Sequence, residues 1–245
     1  MSVADMIADS PSAPLEPADS AIDHKAALEY WSSVTADNDG VLGGYPQVSR
    51  IDLQSSSNFL AKLRRKSTRH GPGKRLTRAV DCGAGIGRIT KGFLSKVADK
   101  VDIVEPVVKL TKVITEGEEF EECRKEGRVG KVYNVGLEEW TPECKYDLIW
   151  NQWCLGQLTD AQLLDYLERT KGFLTEAGWI VVKENMSTDA HGQDIFDDTD
   201  SSVTRSDAKF RSLFEKAGLK IVATEVQRGM PKELFPVRVY AMQPK

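Results

Sequence analysis

The apolar positions follow two periods along the chain, and the change falls near residue 73. Before it they recur at helical spacing. Ala27, Tyr30, Trp31 and Val34 predict a short helix over 24–35. Val48, Ile51, Phe59, Leu60 and Leu63 predict a second over 47–66, with those five side chains inward. Between them stands Asp39-Gly40-Val41-Leu42-Gly43-Gly44-Tyr45, whose glycines mark a loop able to press bare backbone against a partner. After Gly71-Pro72-Gly73, short β-rich runs at 78–82, 101–105, 131–135, 146–150 and 179–184 alternate with amphipathic stretches at 86–98, 107–127 and 160–176. Such alternation predicts a parallel sheet covered by helices on both faces. A helix near 204–218 and strands near 221–226 and 236–243 complete the pattern. The expected fold is α/β, a doubly wound sheet of seven strands with a helical extension over 21–70. Residues 21–245 read as one domain. Residues 1–20 hold Pro11, Pro14 and Pro17 among Ala, Ser and Asp, and read as a disordered tail.

Composition narrows the classes. Of 245 residues, 40% are hydrophobic and 29% charged, which fits a soluble globular chain and argues against wholesale disorder. The formal net charge of -4 does not suit bulk binding to nucleic acid; it suits a basic partner better. Cys82, Cys123, Cys144 and Cys154 form no CxxC pair, and no His stands at metal-ligand spacing, so reduced thiols and no metal are expected. No apolar run approaches the ~18 residues of a membrane span. The first residues lack the pattern of a signal peptide. A cytoplasmic protein is expected, with the nucleus as a second compartment. The stretch Lys62–Arg78 holds eight Lys or Arg and no acid. It reads as a solvated helix end and loop, or as a weak docking patch for an anionic surface such as ribosomal RNA. His24, His70 and His191 read as surface residues.

Two motifs carry chemistry. Asp81-Cys82-Gly83-Ala84-Gly85-Ile86-Gly87-Arg88 follows an apolar strand and opens a helix. Its glycines permit a tight turn with a ligand against the backbone. The spacing is GxGxG with Arg88 next, so the third glycine of the pyrophosphate fingerprint is missing; an Arg there suits a carboxylate instead. Glu105 ends the next strand, 18 residues after Gly87. A carboxylate at that place can accept both hydrogen bonds of a ribose diol. Together the two imply a nucleoside site. Asp194, Asp197, Asp198 and Asp200 crowd seven residues, either as a solvated acidic loop or as an acidic wall for a cation.

The run DCGAGIGRIT (81–90) resembles the eukaryotic protein N-terminal methyltransferase family, which acts on termini beginning Xaa-Pro-Lys. DGVLGGY (39–45), IWNQW (149–153), GQLTD (156–160), KENM (183–186) and DDTDSSV (197–203) agree with it, and the resemblance spans about 24–243. It implies the class I S-adenosylmethionine-dependent fold, with S-adenosylhomocysteine as product. By motif, Gly83 and Arg88 meet the methionine end of the cofactor. Glu105, where close animal members have Asp, holds the ribose, followed by Pro106 and Val107. Leu137 and Glu138 border the adenine, and Gln152 lines the same pocket. On the substrate side the resemblance points to Trp31, Leu42, Gly43, Trp153, Asn185, Asp197, Asp200, Ser202 and Phe235.

The implied reaction adds one to three methyls to an α-amine exposed after Met removal, ribosomal proteins included. Such an amine has a reference pKa near ~7.7–8.0, so a neutral fraction exists at neutral pH. Asp200 is the expected proton acceptor, and Asn185 the amide that bonds the substrate's first residue. Asp197 and Ser202 would pair with the third-residue Lys. Trp31 and Trp153 would wall the entrance, where aromatic faces accept proline and methylammonium. Two positions depart from the family. Gln157 stands in place of a His thought to assist proton removal, and Phe235 in place of a usual Tyr. Gln cannot take up a proton at neutral pH, so Asp200 would act with water or with Gln157 as a hydrogen-bonding partner. A small-molecule methyltransferase, or an idle module gripping protein termini or ribosomes, are the alternatives.

Overall fold

A computed structural model describes residues 16–245. Three helices come first: α1 (His24–Ser33), α2 (Asn38–Val41) and α3 (Val48–Arg65). The sheet opens with β1 (Leu76–Cys82), followed by a helical segment whose middle, Thr90–Leu94, is a π turn and whose end is α4 (Ser95–Val97). Then come β2 (Ala98–Val104), α5 (Val108–Glu116), α6 (Glu121–Lys125), β3 (Val129–Tyr133), β4 (Tyr146–Gln152), α7 (Asp160–Lys171) and β5 (Leu174–Asn185). A short ribbon, β6 (Ile195–Asp197) and β7 (Ser202–Thr204), precedes α8 (Asp207–Lys216), β8 (Leu219–Val226) and β9 (Val237–Pro244).

The main sheet has seven strands in the order β3-β2-β1-β4-β5-β9-β8. The first five are mutually parallel, and β9 runs antiparallel to both β5 and β8. The strand order reverses between β1 and β4, and in open α/β sheets the crevice at such a reversal receives the ligand. Every residue of central β4 is buried. One core lies between the sheet and α7 with α8, around Trp140, Tyr166 and Phe214. The other lies under α3, α5 and the π turn, around Phe59, Phe93 and Trp150.

The expected strands and helices are all present, with shifted ends. The helix expected over 107–127 breaks at Gly117, whose backbone is extended (ψ 141). Glycine is a poor helix former, and four glutamates (116, 118, 119, 121) surround it. The break turns Phe120 inward, where it is 1% exposed. The helix expected over 160–176 stops at Lys171, and β5 starts at Leu174.

Three readings are corrected. Ile51 is 37% exposed, while Asp52 and Ser56 are buried. The inward stripe of α3 runs Val48–Asp52–Ser56–Phe59/Leu60–Leu63 at helical spacing, so two polar residues occupy inward positions. Second, the tail expected to be disordered over 1–20 lies outside the described residues at 1–15, and beyond them the expectation is corrected. Ala18–Ala21 is a 3₁₀ turn, and the Asp19 carboxylate accepts the Asp160 N–H at 2.8 Å, tying it to the start of α7. Third, His70 is 5% exposed and packs on Trp179, and His24 is half-buried against Gln162.

Most of the basic stretch is engaged within the chain. Arg64 donates to the carbonyls of His70 and Gly71, and Arg75 to those of Ser95 and Lys96. Lys62, Arg69 and Arg78 pair with Glu225, Glu176 and Asp102.

Asp102 joins four strands. It is fully buried and accepts from Arg78 Nε and Nη2 (2.8 and 2.9 Å), the Tyr146 hydroxyl (2.7 Å) and the Lys131 N–H (2.8 Å). Gly130 makes the room, because a Cβ there would stand 2.0 Å from Asp102 Oδ1. Removing the carboxylate leaves the buried Tyr146 hydroxyl, the Lys131 N–H and the Arg78 guanidinium without this partner. Asp102→Ala is expected to lose roughly 3 kcal/mol of stability in urea unfolding, while retaining the fold under native conditions.

Candidate active site

The ends of β1, β2, β4 and β5 meet at one edge of the sheet, and two adjoining cavities lie there. The turn after β1 is built by glycines with positive φ. Gly83 has φ 65, and a Cβ there would lie 2.3 Å from Cys154 Cβ, so only glycine lets the loops after β1 and β4 close together. The turn satisfies its own backbone. Gly83 and Ala84 donate to Val104 O, Gly85 to Glu105 Oε2 and Gly87 to Ala84 O. A pyrophosphate cradle needs those N–H groups free. The geometry therefore agrees with the missing third glycine.

The first cavity, of about 410 Å³, lies over this turn. Gly83, Arg88, Glu105, Pro106, Val107, Leu137, Glu138 and Gln152 all line it, as expected for a nucleoside with a carboxylate tail. Glu105 accepts Gly85 N–H and Val107 N–H, one per oxygen, at 2.9 Å each. Each oxygen keeps a lone pair for a diol. Burial raises its pKa, opposed by those two N–H donors.

Arg88 is held from outside the motif. Its Nη1 donates to Asp52 Oδ2 at 2.6 Å. Gln152 Nε2 donates to both Asp52 oxygens (2.8 and 2.9 Å), and the Lys183 ammonium to Oδ1. Burial pushes the Asp52 carboxyl up, but the Lys183 and Arg88 charges outweigh it and hold it below its ordinary value. The sequence reading missed Asp52 altogether. The available signal was the α3 spacing, which puts an acid in line with Val48, Phe59 and Leu63.

The second cavity, of about 350 Å³, holds Trp31, Leu42, Gly43, Trp153, Gln157, Asn185, Asp200, Ser202 and Phe235. Trp31, Val41, Trp153 and Gln157 line both cavities. Asp197 is the exception among the expected residues. It is exposed at the end of β6, outside the cavity lining, and its Oδ1 accepts the Thr199 N–H at 2.9 Å. The N-terminal extension covers more than the second cavity, since His24, Ala27, Leu28 and Trp31 of α1 also border the first.

Asp200 sits on the turn of the β6–β7 ribbon, an element the sequence reading did not separate. Gln157 Nε2 donates to Asp200 Oδ2 at 3.3 Å. Burial raises the Asp200 pKa; the Ser202 hydrogen bond opposes this and the Asp197 charge adds to it. Asp200 Oδ1, Gln157 Oε1 and Trp153 Nε1 are buried without a partner in the protein. Two non-glycine residues here have left-handed backbones, Trp153 (φ 54) and Ser201 (φ 56). Such conformations cost roughly 1–3 kcal/mol and persist where surroundings over-determine them. Ser201 Oγ accepts the Asp23 N–H at 2.7 Å, fastening the ribbon to the start of α1.

A doubly wound sheet with a self-satisfied glycine turn after β1, a carboxylate after β2 and a guanidinium beside them is the frame of a class I S-adenosylmethionine-dependent methyltransferase. The chain belongs to the AdoMet dependent proline di-methyltransferase family, whose model matches residues 19–243. It is 44% identical to an alpha N-terminal protein methyltransferase 1 of Schizosaccharomyces pombe, over 89% of this chain and 94% of that one. It is 42% identical to an N-terminal Xaa-Pro-Lys N-methyltransferase 1-B of Xenopus laevis, over 89% and 93%. Among solved structures, a SAM-dependent methyltransferase of Leishmania major superposes with a TM-score of 0.77 at 38% identity, over 90% and 82%.

Gly83→Ala is expected to weaken S-adenosylhomocysteine binding at least about tenfold by isothermal titration, because it pushes Cys154 away and strains the turn. Unchanged affinity would show that the loop contact does not shape the cavity.

Proposed function

We propose that the chain methylates the N-terminal α-amine of proteins that begin Xaa-Pro-Lys. The observation that carries this is the shared wall between the two cavities: Trp31, Val41, Trp153 and Gln157 face both, so a donor on one side meets an acceptor on the other. The names of the Schizosaccharomyces and Xenopus relatives support the same substrate class. Bound S-adenosylmethionine supplies an electrophilic methyl on a sulfonium.

The chain's own residues handle the amine. Asp200 accepts the proton of the incoming ammonium at its unpaired Oδ1, and Gln157 Nε2 holds the other oxygen. A raised carboxyl pKa narrows the gap to an α-amine near ~8, which suits proton transfer. Asn185, at the end of β5, orients the first residue by its amide. Trp31 and Trp153 present aromatic faces to the proline ring and to the growing methylammonium. Ser202 stands where the third-residue Lys arrives, with Asp197 outside at the ribbon's end to attract the cation before docking. The substrate class extends to ribosomal proteins with this terminus, met in the cytoplasm and, second, in the nucleus.

A Pro-Pro-Lys peptide incubated with S-adenosylmethionine should gain methyls at its first nitrogen by mass spectrometry. Activity on free metabolites with none on the peptide would reject the proposal in favour of a small-molecule enzyme. Asp200→Asn should lower kcat roughly 10²–10⁴-fold while S-adenosylhomocysteine affinity holds. The acid limb has a fixed sign. The pKa of Asp200 is raised, so protonation removes the acceptor, and turnover falls with falling pH sooner than an ordinary carboxylate would allow. A rate profile that stays flat through the ordinary aspartate range near ~3.9 would contradict that role.

A further inference from the structure

Glu184 lies beside Asn185 on β5 and is 6% exposed. Successive strand residues point to opposite faces. Lys183 turns to Asp52, and Glu184 turns to the loop after β4. There one oxygen, Oε1, accepts the N–H groups of both Cys154 and Leu155 at 2.9 Å. The same loop is gripped from its other side by Arg205, fully buried at the end of β7, which donates to the carbonyls of Leu155 and Leu158. The residue just before the gripped pair is Trp153, left-handed at φ 54 and part of both cavity walls. Its N–H donates to Lys183 O at 3.1 Å, and the Arg88 guanidinium lies 5.4 Å from its ring. Glu184 itself lines the second cavity with Asn185 and Asp200.

We infer that Glu184 is a positioning residue for methyl transfer: its carboxylate holds the 153–155 turn, so that the Trp153 ring stands as the wall between donor and amine. The inference rests on the α-amine reading of the second cavity. A left-handed tryptophan needs such a hold, because nothing in its own side chain favours that backbone. A two-fold acceptor of backbone N–H groups is the group that supplies it.

A pH dependence follows from the surroundings. Burial pushes the Glu184 pKa up to about 7, against the Leu155 and Cys154 N–H groups and the Arg205 charge. The other groups around it are the Cys154 thiol, Asp200 across the cavity, and Arg238 opposite it on β9, whose Nε lies 3.5 Å from Asp207 of α8. Protonation weakens the hold on the turn, so the hold is firm above this pKa and loosens below it.

The test uses the full chain labelled with 5-fluorotryptophan. Its five tryptophans give separate fluorine signals, and Trp153→Phe assigns the one at 153. In the wild type that signal should titrate with a midpoint near pH 7. In Glu184→Gln, which keeps the length and a carbonyl oxygen, the step should vanish. That variant should still bind S-adenosylhomocysteine, lose roughly tenfold in kcat on the peptide, and lose one ionisation from its kcat profile. Two results overturn the inference: a Trp153 signal flat from about pH 5 to about pH 9 in the wild type, or a variant with unchanged kcat and profile. If the variant fails to fold, the wild-type titration decides alone. If the wild type methylates no peptide, the substrate reading falls while the fluorine titration still judges Glu184.

Discussion

A single buried carboxylate, Asp52, ties the parts of this enzyme together. Four side chains meet there from four elements: Asp52 on α3, Arg88 opening the helix after the glycine turn, Gln152 ending β4 and Lys183 on β5. Asp52 is fully buried, and Lys183 is 1% exposed at its side chain. Charges taken out of water are tolerated only when paired and hydrogen-bonded, and Asp52 and Lys183 meet that condition. The Asp52 main-chain carbonyl and the Ser56 hydroxyl also accept from Lys183, at 3.2 and 2.9 Å. The consequence is positional. Arg88 faces the cofactor cavity with its orientation set by the N-terminal extension, so the extension belongs to the cofactor site as much as to the substrate side.

The second constraint is strain at the sheet's edge. Trp153 and Ser201 both have left-handed backbones; Trp153 lines both cavities, and Ser201 lies between Asp200 and Ser202, which line the second. Each is held by contacts distant in sequence. Trp153 is fixed through Lys183 O and the turn beyond it, and Ser201 through the Asp23 N–H. A rigid sheet thus presents its chemistry on loops that would not keep their shape alone. The ribbon carrying Asp200 is fastened to the start of α1, whose Trp31 borders both cavities. Lys109 of α5 secures the other end of α1 by donating to Ser32 O at 3.0 Å. Hydrogen bonds thus tie α1 to the ribbon at one end and to α5 at the other.

The departures at Gln157 and Phe235 have a local meaning. Gln157 offers an N–H to Asp200 and leaves its own oxygen buried and unpaired toward the cavities. It can polarise and orient but not accept a proton, which concentrates proposed proton removal on Asp200. Phe235 lines the second cavity and brings no side-chain hydroxyl to that wall.

The local chemistry of the site was legible in the chain itself. Periodicity placed the seven strands, because a buried parallel sheet demands near-continuous apolar runs that little else produces. The glycine turn and Glu105 were readable because each directly follows a strand, and Arg88 because it follows that turn in the chain. Partners distant in sequence were not. Asp52 drew no reading beside an Ile51 expected inward, and only packing against Lys183 and Arg88 put the acid inside. Asp197, matched by motif, stands exposed outside the cavity lining, as the last residue of β6 and opposite Ser202 in the ribbon. Glu184 gave no signal of its own, since its neighbours in space lie 29 and 30 residues away. Sequence alone determined the seven strands of the main sheet, most of the helices, and the chemistry that short spacing brings together. Tertiary structure decided which charges are buried as partners and which loops are held in strained shapes, because both depend on contacts between segments whose separation no local pattern encodes.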